Sequence, residues 1–187
     1  FNKRKRKILR YGPLPNNAYE YMLLNGNKLS PSATIVKKSL LEEKNIYFNE
    51  GIDFITVEDY DFWLNLARVK AKFKFIPSIQ GEYLVHSSNN SNREDIHYKN
   101  GIHLLKHHIF NIQSFNKDKE RLWKRVECRL LINESISNLN KKNIRSFIFK
   151  SSHALFISPS ASILYLFRAV LSMVRNYLFE LKSLWAR

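Results

Sequence analysis

Cysteine is nearly missing from this sequence: Cys128 is the only one in 187 residues. A disulfide framework and a cysteine-built zinc site within the chain are therefore excluded, and the composition suits a reducing compartment. Glycine and proline are scarce too, at five each. Four of each fall in residues 1–93, so residues 94–187 have little to interrupt a helix. Acidic residues number 16 against 31 Lys and Arg, a formal charge of +15. Such a field attracts polyanions, anionic lipid surfaces or phosphorylated substrates without choosing among them. Long apolar runs are also lacking. The longest charge-free stretch, residues 151–167, is shorter than the ~20 residues a spanning helix needs. The opening FNKRKRK has no apolar run behind it and so is not a signal peptide. A start at Phe1 rather than Met gives the expectation that the chain is part of something longer.

What is present is enough to build a core. Hydrophobic residues make up 44% of the chain, too many for a disordered polypeptide. Residues 1–93 carry short apolar runs between turn residues, a mixed α/β texture. PNNAYEYMLLNGN predicts a short helix, capped by Asn16 or Asn17 and stopped at Asn25-Gly26. SATIV (32–36) predicts a turn leading into a strand, and KKSLLEE (37–43) a turn or two of helix. A further helix is expected from about Tyr60 to Val69. KFKFI (72–76) alternates charged and apolar residues, a strand signal, and GEYLVH (81–86) predicts a second strand before the polar loop SSNNSN. Residues 94–187 predict four helices, at about 94–113, 118–138, 141–156 and 159–185. In the last, Ser158 caps, Pro159 fits the first helical position, and Leu164, Phe167, Leu171, Val174, Leu178 and Leu181 recur every three or four residues. Arg168, Arg175 and Lys182 fall on another face, which makes an amphipathic basic helix.

The acids are concentrated in VEDYDFWLNLA (57–67). Asp59 and Asp61 at a helix start can satisfy free N–H groups and the helix dipole. A carboxylate at such a junction, on the rim of a cleft, can also take a proton from a substrate hydroxyl. His103, His107 and His108 have helical spacing that can hold a metal, although no acid obviously pairs with them in sequence.

The order of features around these acids, NGNKLSPSATIVKKSLLEE and then YFNEGIDFITVEDYDFWLNLARVKAKFKFIPSIQGEYLVHSSNNS, resembles the acceptor-side half of family 2 glycosyltransferases with the GT-A fold. The resemblance covers about residues 20–92. It implies a partial GT-A α/β domain over residues 1–93, followed by an all-α region over 94–187. It implies Asp59 as the base that deprotonates the acceptor hydroxyl, with Glu58 supporting it or touching the acceptor. Asp61 and Trp63 would start and pack the helix that holds the base. Ser32, Ala33 and Thr34 would lie on the acceptor or donor-sugar side of the cleft, and His86 would ligate a divalent metal, Mg²⁺ or Mn²⁺, on the donor diphosphate. The implied partners are a nucleotide-sugar donor and a saccharide or lipid-linked acceptor in surface polysaccharide synthesis. The implied location is the cytoplasm, and the basic terminal helix reads as a peripheral contact with an anionic inner membrane face. The chain departs from the family in having no Asp-x-Asp other than Asp59–Asp61, so the donor-binding half is absent from it. Two other classes compete: a basic nucleic-acid-binding module, read from the charge and NKRKRK, and a non-catalytic interaction domain, read from the stripe at 164–181.

Overall fold

The computed structural model describes residues 12–79, 81, 94–112 and 118–185, and every regular element among them is a helix. The chain divides into two compact units, Phe1–Ser114 and Phe115–Arg187. The first contains α1 (Ala18–Asn25), α2 (Lys38–Lys44), α3 (Glu58–Arg68) and α4 (Glu94–Lys106), which continues as a π-helical turn over His107–Ile112. Short 3₁₀ turns at Pro31–Ala33 and Ile52–Phe54 link the early helices. The second contains α5 (Lys119–Asn140), α6 (Ile144–Ile157) and α7 (Pro159–Trp185).

The GT-A α/β expectation is overturned here, and with it the assignment to family 2 glycosyltransferases. The alternating run 72–76 has no strand assignment, and segment 34–37 between its 3₁₀ turn and α2 is not a strand either. Alternation only marks which side chains would share a face. A strand also needs a neighbour for its N–H and C=O groups, and none pairs with these segments among the described residues. Lys72 and Lys74 stay exposed while Phe73 and Phe75 are half-buried. Phe75 lies against Gly12, where the ring occupies the space a Cβ would need. Of the second expected strand, residues 82–86 lie outside the described residues, as does the loop at 87–92.

Local signals account for the helix boundaries. The Asn17 side chain accepts from the Glu20 N–H at the start of α1, and Gly26, at φ 81°, ends it. Asp118 and Asn143 cap α5 and α6 by accepting from the N–H groups of Arg121 and Ser146, both at 3.1 Å. With so little glycine available, α2, α3 and α5 stop on other residues in the left-handed region: Asn45 (φ 50°), Lys70 (φ 60°) and Lys142 (φ 60°). Each is followed by the same pair of closing bonds. Lys70 N–H donates to the Ala67 carbonyl, for example, and Ala71 N–H to that of Leu66.

In the first unit, α1 packs on α3, burying Met22 and Leu23 on one and Trp63, Leu64 and Leu66 on the other. Tyr60 reaches across to donate to the Met22 carbonyl at 2.6 Å. α4 belongs to this unit because it is pinned to the loop before α3: Asn100 Nδ2 donates to the carbonyls of Ile52 (3.2 Å) and Ile55 (2.9 Å). In the second unit, Cys128, Leu131, Ile132, Ala154, Ala161 and Tyr165 form the core. Lys150 and Glu134 make a half-buried ion pair at 2.6 Å. α7 contributes to that core through Ala161 and Tyr165, whereas Leu164, Phe167, Leu171 and Val174 of its expected apolar stripe are exposed. Among the described residues no helix is long and apolar enough to cross a membrane.

Candidate functional site

The first turn of α3 carries Glu58, Asp59 and Asp61, but the turn sends them in different directions. Val57 occupies the capping position without a side-chain bond, so the acids act on the helix end through their charge. Glu58 and Asp59 are half-buried. Asn27 Nδ2 donates to Asp59 Oδ2 at 3.1 Å, while Asn27 Oδ1 accepts from the Leu29 N–H at 3.0 Å. Both ends of the amide are thus engaged, which fixes its orientation and that of the carboxylate. Burial raises the Asp59 pKa above the usual carboxylate range, and the adjacent Glu58 charge adds to the rise. The Tyr60 N–H, the Asn27 amide and His97 act in the opposite direction. Glu58 Oε2 is buried with no hydrogen-bond partner among the described residues.

The loop that delivers these acids is strained and braced. Thr56 has φ 72°, unfavourable for a β-branched residue, and its Oγ1 is buried without a partner among the described residues. Its carbonyl lies 3.0 Å from His97 Nδ1. A carbonyl can only accept, so Nδ1 carries the proton. Together with the Asn100 bonds to Ile52 and Ile55, this ties the loop to α4. Phe54 sets its edge against His103 and His107, whose rings stack on each other at 6.4 Å between centroids.

Asp61 does something else. It is buried, and its Oδ1 lies 2.8 Å from His108 Nε2, while Oδ2 accepts from Asn65 Nδ2 at 3.1 Å. The Tyr19 hydroxyl lies 3.0 Å from His108 Nδ1. One tautomer satisfies the whole chain: Nε2–H donates to Asp61, and Nδ1 accepts from Tyr19. Burial pushes the Tyr19 hydroxyl well above its ordinary range, which keeps the proton this bond needs. Asp61 is therefore a structural partner of His108, about 200° around the helix from Asp59. That face of α3 also borders a hollow of about 290 Å³, with Asn65 and Arg68 on its wall and Asn45, Tyr47 and Asn49 opposite. The hollow is on the Asp61 side and does not open in front of Asp59.

Of the other expected site residues, Ser32 and Ala33 are exposed on the 3₁₀ turn, and Thr34 Oγ1 donates to the Ser30 carbonyl at 2.8 Å. Trp63 is core, at 2% exposure, so its ring is closed to a ligand. His86, the expected metal ligand, lies outside the described residues. The acids and histidines that are described do not make a divalent-cation donor set: Asp59 faces an amide donor and His97 Nδ1 is spent on a carbonyl.

Sequence reasoning missed Asn27, His97 and Asn100, and it read His108 only as part of a possible metal-binding cluster rather than as the partner of Asp61. For His108 a signal was present: LLKHHIF places it among residues that read as core, and Leu104, Leu105 and Ile109 are all buried. A histidine in that setting needs a buried partner, and Asp61 is the one it has.

No family model, curated protein or solved structure matches the chain. The motif likeness to family 2 glycosyltransferases thus has neither a sequence match nor the fold behind it.

Proposed function

We propose that the first unit carries the acceptor-activating carboxylate of a sugar-transfer reaction. In this reading Asp59 takes the proton of an acceptor hydroxyl, on a saccharide or a lipid-linked saccharide, as its oxygen attacks the anomeric carbon of a nucleotide sugar. The nucleoside diphosphate leaves from the opposite face, so the configuration inverts, and the donor is held outside residues 1–187. The observation that carries the reading is the Asp59 carboxylate itself: half-buried, oriented by Asn27, and made more basic by desolvation. A carboxylate of raised pKa is the stronger proton acceptor, provided it is still ionised at the working pH. The Tyr60 N–H and the Asn27 amide favour the ionised form. The strained, braced loop at Thr56 supports the same reading, since such geometry persists where the surrounding structure fixes a position closely.

The test is a transfer assay on the protein together with its donor-binding part, using a panel of nucleotide sugars and lipid-linked acceptors. Asp59→Asn is expected to lower transfer by about 10²–10⁴-fold with donor binding unchanged. Transfer within a few-fold of wild type overturns the assignment of Asp59.

A further inference from the structure

The second unit exposes many large apolar side chains on α6 and α7. On α7, Ile163, Leu164, Phe167, Val170, Leu171 and Val174 are each at least 40% exposed. At 3.6 residues per turn they occupy roughly 120° of the helix circumference, a continuous arc. On α6, Ile144, Ile148, Phe149 and Phe156 are exposed as well, Phe156 at 89%. Scattered apolar residues are normal on a surface, but a contiguous arc on α7 beside a further set of exposed apolar side chains on α6 marks a binding face. The sequence of this region is strongly basic. Residues 141–187 hold eight Lys and Arg and one acid, Glu180. Lys141, Lys142, Arg145 and Arg168 are exposed, and Arg168 sits at the edge of the α7 arc.

We infer that this face docks on an anionic lipid surface, with α6 and α7 lying in the interface rather than crossing it. The basic residues suit lipid headgroups, and the phenylalanines and aliphatic side chains suit the acyl boundary beneath them. A second copy of the chain would bring like charges together at the rim, and a nucleic acid would leave the apolar arcs in water. No helix among the described residues has the length and apolarity to span a bilayer, which leaves interfacial binding as the mode. This inference stands on the second unit alone and does not rest on the sugar-transfer reading.

The experiment is flotation of the full chain with vesicles of phosphatidylcholine containing about one-third phosphatidylglycerol, against vesicles of phosphatidylcholine alone. Binding to the anionic vesicles is expected, weakening with salt. Arg145→Glu should weaken it about fivefold or more, given what one cation contributes near such a surface. The double variant Phe156→Asp/Phe167→Asp should weaken it at least tenfold. Both phenylalanines are exposed, so circular dichroism should show the helices intact. Failure to float with anionic vesicles overturns the inference, as does undiminished binding by the double variant. A stable dimer that the same double variant dissolves assigns the face to a second copy and also overturns it. So does tighter binding to duplex DNA than to anionic vesicles at the same salt.

Discussion

The two units are held together by different physics. The first has an apolar core of its own, with Met22, Leu23, Leu64, Leu104 and Ile109 buried, and adds to it side-chain hydrogen bonds between segments distant in sequence: Asp61 with His108, Asn100 with the carbonyls of Ile52 and Ile55, Tyr60 with that of Met22. The second joins three long helices through a small apolar core and leaves much of its apolar surface outside. Directional bonds can fix the position of a loop to a few tenths of an ångström, which a catalytic carboxylate requires. An apolar face turned outward asks for a partner surface and tolerates variety in what it meets. The contrast is between bonds that fix loop positions in the first unit and apolar surface left outside in the second.

The largest test of the contrast is to break a polar link. His108→Ala removes the donor to Asp61 Oδ1 and the acceptor of the Tyr19 hydroxyl, both buried, and is expected to cost about 3 kcal/mol, read as faster hydrogen exchange across α1 and α3. The matching change in the second unit is Ile132→Ala, which opens a cavity in the core at a cost of about 2–5 kcal/mol, read as faster exchange across α5 and α6. If His108→Ala costs less than ~1 kcal/mol, the buried pair is not what fixes the first unit.

Smaller changes sharpen the comparison. Thr56→Gly relieves the positive φ and the orphaned hydroxyl, and should raise stability by about 1 kcal/mol in urea unfolding. Asp59→Asn should separate from wild type with pH. Burial raises the folded-state pKa of Asp59, so its contribution to stability is present below the unfolded carboxylate value and lost as pH rises through the folded one. Asparagine cannot ionise, so the variant should gain on wild type as pH rises from the unfolded carboxylate value through the raised folded one. A gap that does not widen over that range contradicts the burial of this carboxylate. The smallest effect belongs to the apolar face: Phe167→Ser, at a position 59% exposed, should change stability by no more than about 0.5 kcal/mol. A larger loss would mean that Phe167 is packed, and the distinction between the units would narrow. Cys128 gives a control inside the second core. Its buried thiol donates to the Ala154 carbonyl, burial pushes its pKa up, and it should resist alkylation in the folded chain.

The sequence by itself determined several of the helix ends. Asn17, Asp118 and Asn143 cap the N–H three residues on, Pro159 opens α7, and the scarcity of glycine in residues 94–187 lets the helices run long. These signals act over a few residues, so they are written locally. It also marked Glu58 and Asp59 as a cluster at a helix start. Only the tertiary structure decided the rest. It paired Asp61 with a histidine 47 positions away, supplied Asn27 and His97 around the acids, left 72–76 without a strand neighbour, and turned the α7 stripe outward. In each case the deciding partner comes from a remote part of the chain, or is missing there, and periodicity records only which side chains share a face, not what that face meets.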